Sequence, residues 1–223
     1  QWLTENRAKV GFGVATGRRA DSAMEILQKH DLPKPDVIIS DVGTEIYYGS
    51  EFQYDQGWDS HIAQHWEPEK IRKRLGKLDF LELQEKAAQR KYKISYNIEP
   101  GKDRIAKIHD ILIKNKIRYT LVYSPEQYMD NIPYRASKGK AIRYLSYKWG
   151  IPLSHFLVSG DSGNDEEMLR GEQMGVVVGN YSPELEELKG VNKIYFAEQP
   201  GSGGILEGIR KYEFTKPRKR KKS

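Results

Sequence analysis

At 223 residues, with 38% hydrophobic and 30% charged side chains, the chain is long enough for one large domain or two small ones, and its composition excludes a disordered polymer. No run approaches the roughly 20 apolar residues that span a bilayer, and the absence of cysteine excludes disulfides and thiolate chemistry while permitting a reducing, cytoplasmic setting. The net charge of +6 is concentrated in Lys216, Arg218, Lys219, Arg220, Lys221 and Lys222, so the rest of the chain is close to neutral and no basic surface is required.

The chain opens on Gln1-Trp2-Leu3-Thr4-Glu5-Asn6, in which no signal peptide is legible, and without an initiator Met it is expected to be a fragment. Residues 2–9 read as the end of a helix and 10–15 as a buried strand lightened by Gly11 and Gly13. That strand delivers Thr16-Gly17-Arg18-Arg19 to a loop. An amphipathic helix over 21–30, with Ala23, Ile26 and Leu27 on one face, is closed by Pro33 and Pro35. A second buried strand, 36–40, then implies a parallel crossover. After a turn at 41–45, Ile46-Tyr47-Tyr48 can pair back as a hairpin.

Trp58, Ile62, Trp66, Ile71 and Leu75 recur at mostly helical spacing, which reads as packing rather than as a base-stacking platform. From Phe80 the texture changes. Strands at 81–84, 92–98 and 119–123 surround a helix at 103–114, which predicts a small antiparallel α+β module with a half-exposed sheet, ended by Pro133 and the polar run to Lys140. A helix over 141–149, strands at 156–158, 175–178 and 193–196, and a last helix over 203–212 complete the fold. The basic tail, 216–223, reads as a solvated terminus. Contact with nucleic acid or anionic lipid is the other reading, but no aromatics interleave with its charges, so neither nucleic acid nor membrane is an expected partner.

Chemistry is expected in the loops that follow strands, where open α/β sheets bind ligands. Gly160-Asp161-Ser162-Gly163-Asn164-Asp165 is the most informative of these. Its glycines let the backbone turn sharply, and Asp161 and Asp165 offer the hard oxygens that Mg²⁺ prefers; the same residues also suit a plain helix N-cap. Thr16 and Gly17 offer a hydroxyl and an unobstructed N–H to a phosphate oxygen, and Lys138, in Ser137-Lys138-Gly139 ahead of a helix, offers a point charge to the same anion. Each alone is also ordinary turn or surface chemistry; their order along the chain is what makes them specific.

These stretches, together with Val42-Gly43-Thr44-Glu45-Ile46-Tyr47, Tyr92-Lys93-Ile94-Ser95-Tyr96 and Gly203-Gly204-Ile205-Leu206-Glu207, resemble the capped haloacid dehalogenase-like phosphatases, and within them the sucrose-6-phosphate phosphatase group, to about Phe214. The group includes the phosphatase-like domain of bacterial sucrose-phosphate synthases. The resemblance implies a doubly wound, mostly parallel α/β core, Rossmann-like, from residues 1–78 and 136–215, with an inserted α+β cap at 79–135 and the site between core and cap. It implies hydrolysis of sucrose 6-phosphate by way of an aspartyl-phosphate, with Mg²⁺ neutralising the transferring charge. Thr16 and Lys138 would hold phosphoryl oxygens, Asp161 and Asp165 the metal, and Gly17 and Asn164 would contact phosphate. Arg18, Glu45, Lys93 and Ser95 would contact the sugar.

The family's first motif, Asp-X-Asp-X-Thr, is expected ahead of Trp2, so the nucleophile would lie upstream and residues 1–223 alone would not turn over substrate. Two arrangements follow: a phosphatase acting on a small sugar phosphate, or a non-catalytic module fused to or associated with a sucrose-phosphate synthase glycosyltransferase. A related phosphatase acting on a trehalose or mannosyl phosphate is a third reading.

Overall fold

The computed structural model describes residues 1–124 and 127–216, so all of the basic tail beyond Lys216 lies outside the described residues. In chain order the elements are α1 (Trp2–Asn6), β1 (Gly13–Ala15), α2 (Ala20–Lys29), β2 (Val37–Ser40), β3 (Glu45–Tyr48), β4 (Gln53–Tyr54), α3 (Gln56–Ala63), α4 (Pro68–Leu75) and β5 (Leu81–Leu83). There follow β6 (Ile94–Ile98), α5 (Lys102–Lys114), β7 (Tyr119–Ser124), β8 (Tyr128–Pro133), α6 (Lys138–Trp149), β9 (Leu157–Gly160), α7 (Glu166–Leu169), β10 (Met174–Val177), β11 (Ile194–Phe196) and α8 (Gly201–Lys211). They divide into two compact units, Gly13–Ala141 on the one hand and Gln1–Phe12 with the chain from Ile142 on the other.

The unit Gly13–Ala141 holds two four-stranded sheets. In the first, ordered β1-β2-β3-β4, β1 runs parallel to β2, and β3 returns antiparallel, as the hairpin reading predicts. All four residues of β2 are buried, which is why Val37, Ile38 and Ile39 form a continuous apolar run rather than an alternating one. Ala20, Met24 and Leu27, on one face of α2, pack with Ile38 of that strand.

The second sheet, ordered β5-β6-β8-β7, is antiparallel throughout. Ile94, Tyr96 and Ile98 alternate along β6 and meet Met129 of β8, Ile108 and Leu112 of α5, and Ile71 and Leu75 of α4 in one apolar cluster. Its other face carries Lys93, Ser95 and Asp130. That face is partly exposed, as expected, except at Ser95, which is 2% exposed because Ala88, Gln89 and Asp130 close over it through hydrogen bonds.

The other unit contains a parallel sheet ordered β11-β10-β9. Its central strand, β10, is buried at every residue. Among the described residues no helix is long and apolar enough to cross a membrane.

Candidate active site

The loop after β1 and the turn after β2 are stitched together by their backbones. Asp41 N–H donates to Arg18 O at 2.9 Å and Val42 N–H to Thr16 O at 3.1 Å, while Arg18 N–H donates to the Thr16 hydroxyl at 3.1 Å. The turn Asp41–Gly43 has three successive positive φ values, 43°, 57° and 100°. For β-branched Val42 that is a strained conformation, held only because the surroundings over-determine it. Gly43 is required sterically as well: a Cβ there would lie 2.5 Å from the Ser137 carbonyl oxygen and closer still to Lys138 N. Trp58 Nε1 fixes the same residue by donating to Gly43 O at 3.2 Å.

This contact places the start of α6 against the turn. Ser137 caps that helix, its Oγ accepting from Lys140 N–H at 3.0 Å, and Lys138 in the first turn is buried at 6% exposure. A Cβ on Gly17 would in turn sit 3.4 Å from Val42 Cγ1. Thr16, Gly17 and the Lys138 backbone therefore all border one turn, and a hydroxyl, an exposed N–H and a lysine opening a helix are group types that suit an anion. Arg18 is exposed beside them.

Glu45, Lys93 and Ser95 form a second group around the same turn. Lys93 Nζ lies 2.9 Å from Asp41 Oδ1, and Arg90 Nε 3.8 Å from Asp41 Oδ2. Ser95 Oγ donates to Asp130 at 2.5 Å. Glu45 accepts from the Ser40 hydroxyl at 3.1 Å and the Tyr47 hydroxyl at 3.3 Å. Burial raises the Glu45 carboxyl above its ordinary range, the Asp41 charge adding to it and those two hydrogen bonds opposing it. Burial likewise raises Asp130, against the Lys93 charge and the Ser95 hydrogen bond. Asp41, Arg90 and Asp130 were missed by the sequence reading. The signal for Asp41 was its place just beyond the carboxyl end of a buried strand.

On the other unit, β9 delivers Asp161, Asn164 and Asp165. Asp165 is buried and its Oδ2 accepts from Asp161 N–H at 3.1 Å; it makes no forward bond into α7, so it braces the loop rather than capping the helix. A Cβ on Gly160 would stand 2.8 Å from Asp165 Oδ2, so this packing requires glycine. Ser182 N–H donates to Asp161 O at 2.7 Å and Gly163 N–H to Glu184 Oε2 at 3.2 Å, which ties the loop to the 182–184 segment.

Asp161 and Asn164 are exposed, and among the described residues the Asp161 carboxylate has no hydrogen-bond or ion-pair partner. Among those residues no three His, Cys, Asp or Glu side chains cluster as a complete cage. An outward Asp161 backed by Asp165 fits Mg²⁺, which takes one or two protein carboxylates and completes its shell with water and substrate oxygens.

The model of the Sucrose-6F-phosphate phosphohydrolase family matches residues 1–213. The chain is 29% identical to sucrose-phosphatase 1 of Nicotiana tabacum over 97% of its own length and 54% of that protein's. It is also 29% identical to the mannosylfructose-phosphate phosphatase of Agrobacterium fabrum, over 87% of this chain and 80% of the relative. The chain thus spans about half the length of several of the curated relatives it matches. The sucrose-phosphatase of Synechocystis sp. PCC6803, solved with sucrose and phosphate, superposes with a TM-score of 0.88 at 30% identity, covering 95% of this chain and 88% of that one. Haloacid dehalogenase-like hydrolases of known structure share the fold. The chain belongs to the sucrose-6F-phosphate phosphohydrolase family and has its α/β, haloacid dehalogenase-like fold with an inserted cap.

Proposed function

We propose that the whole protein is a Mg²⁺-dependent phosphatase that hydrolyses sucrose 6-phosphate to sucrose and phosphate. The observation that carries this reading is the packing of Thr16, Gly17 and Lys138 on the Asp41–Gly43 turn, with Lys93 on its other side, in a chain of this family. The Thr16 hydroxyl and Gly17 N–H donate to phosphoryl oxygens, and the Lys138 ammonium balances their charge in the ground state and as it redistributes during transfer. Arg18 and Asn164 make further polar contacts to substrate. Glu45 and Lys93 bind sugar hydroxyls, while Ser95, buried and donating to Asp130, holds the strand behind them rather than touching the sugar as first expected. These groups bind and orient; none is assigned the attack on phosphorus. Asp161 and Asp165 would hold Mg²⁺, which when bound supplies positive charge to the transferring phosphoryl group.

The experiment is phosphate release by the whole protein from sucrose 6-phosphate, with Mg²⁺ and with chelator. Release that requires Mg²⁺ and falls steeply in Lys138→Ala supports the reading, and release indifferent to both refutes it. A second substrate has one specific observation behind it, the mannosylfructose-phosphate phosphatase among the relatives. A higher kcat/KM for that ester than for sucrose 6-phosphate would move the assignment to it.

A further inference from the structure

Among the described residues no charged side chain is more deeply buried than Asp41, at 1% exposure, and none of the roles above uses it. A carboxylate taken so far from water needs charged partners. Asp41 has two, Lys93 at 2.9 Å and Arg90 at 3.8 Å, both from one tight turn closed by Arg90 N–H to Lys93 O at 3.1 Å. The two residues between them turn elsewhere: Lys91 Nζ and the Tyr92 hydroxyl each lie 3.0 Å from the Asp59 carboxylate. Trp66 Nε1 also donates to Lys91 O, at 3.1 Å.

The 90–93 turn is therefore anchored to α3 and its flank without Asp41. What Asp41 adds is the position of one ammonium. The contact is a close ion pair, Lys93 Nζ standing 2.9 Å from Asp41 Oδ1, a distance at which one ammonium proton points at the carboxylate. An ammonium carries three protons, so those not turned to Asp41 remain available to an incoming oxygen. An unrestrained lysine, on a flexible four-carbon stem, would not stay there. Asp41 is also the first residue of the strained turn that carries the backbone contacts to Thr16, Arg18 and Lys138, so it ties the ammonium to the phosphoryl-binding loop.

We propose that Asp41 is a positioning residue for sugar recognition, fixing the Lys93 ammonium at the distance from the phosphoryl loop that a disaccharide phosphate requires, with Arg90 sharing the carboxylate charge. This rests on the sugar-phosphate reading above. Its test is kinetic, on the whole protein, with sucrose 6-phosphate and p-nitrophenyl phosphate compared for wild type, Asp41→Asn, Lys93→Met and the double variant.

Asp41→Asn should raise KM for sucrose 6-phosphate about tenfold, the scale of one charge-assisted contact, and lower the preference for the sugar phosphate over the small ester by the same factor. The double variant should be no worse than Lys93→Met, since residues acting through one contact do not add. Additive losses, or an equal loss on both esters, would overturn the proposal. Asp41→Glu decides the matter if Asp41→Asn does not fold: it keeps the charge but moves it by a methylene, so KM for the sugar phosphate should still rise severalfold, and a wild-type KM would overturn the proposal. Wild-type protein that ignores sucrose 6-phosphate while cleaving the small ester would instead overturn the functional reading itself.

Discussion

Replacing Gly43 with alanine should damage the fold and anion binding together. A methyl at this position would stand 2.5 Å from the Ser137 carbonyl oxygen and nearer still to Ser137 C and Lys138 N. All three are backbone atoms and cannot rotate away, so either the Asp41–Gly43 turn or the start of α6 must shift. The φ of 100° adds a second penalty. Backbone strain of about 1–3 kcal/mol and overpacking of about 1–3 kcal/mol make roughly 2–6 kcal/mol, a large part of the 5–15 kcal/mol or so by which a typical fold is stable. Gly49→Ala separates the two contributions. Gly49 has φ 62°, but a methyl there would meet nothing within 4 Å, so only the backbone cost, about 1–2 kcal/mol, should apply. Urea unfolding of both variants, with phosphate affinity measured on each, gives the comparison. Gly43→Ala should be the less stable and should lose phosphate affinity because Lys138 moves with the helix start; equal stability for the two variants would refute the close-approach argument.

Three further predictions rest on single residues. Asp161→Asn keeps the shape of the side chain but removes its charge, and should lower kcat on the order of a hundredfold, the scale of one preorganised electrostatic contact; wild-type turnover would exclude Asp161 from the metal site. Asn131 is fully buried beside Ile94 and Leu121 with neither amide atom hydrogen-bonded, so Asn131→Leu should raise the urea midpoint by about 1–3 kcal/mol of stability, and a lower midpoint would count against an orphaned amide. The Asp130 carboxyl is raised above its ordinary 3.8, chiefly by burial, so the folded chain keeps a proton that the unfolded chain has released. Stability from that proton is complete below the unfolded pKa and is lost as pH rises from there through the folded value. Asp130→Asn should flatten the pH dependence of the urea midpoint in that interval, and an unaltered slope would show that the group does not titrate as its burial requires.

The sequence displayed the elements whose periodicity is set by one dominant force. Val37-Ile38-Ile39 reads as a buried strand and proves to be one, and the hairpin into Ile46 follows from it. The strand expected over 10–15 shrinks to Gly13–Ala15, since pairing with β2 begins only at Val37. β8 was not legible, because Asp130 and Asn131 interrupt its apolar pattern and only the neighbouring strands reveal why polar residues stand there. Helix α6 starts three residues before the expected Ala141, at Lys138, since Ser137 caps it. Among the candidate site residues, Thr16, Lys138, Asp161 and Asp165 could be picked out because each sits in a loop after a strand or before a helix. Glu45, Lys93 and Ser95 carry no such local mark and entered only through the family resemblance.

Asp41 was passed over although it too stands just beyond a buried strand. An aspartate after a strand, followed by Val-Gly-Thr, has the composition of an ordinary turn, and its partners Arg90 and Lys93 lie far along the chain. Local sequence specifies that a turn forms there but not that a β-branched residue will be held at φ 57° within it. That strain is maintained by contacts from four directions: Thr16 and Arg18 through backbone hydrogen bonds, Trp58 through its indole, Ser137 and Lys138 through backbone packing, and the 90–93 turn through charge. A turn fixed from so many sides cannot relax one contact without disturbing the others. If the proposed roles hold, the spacing between the Thr16–Lys138 group and Lys93 is consequently set by this three-residue turn, and a substrate that must reach both is measured against it.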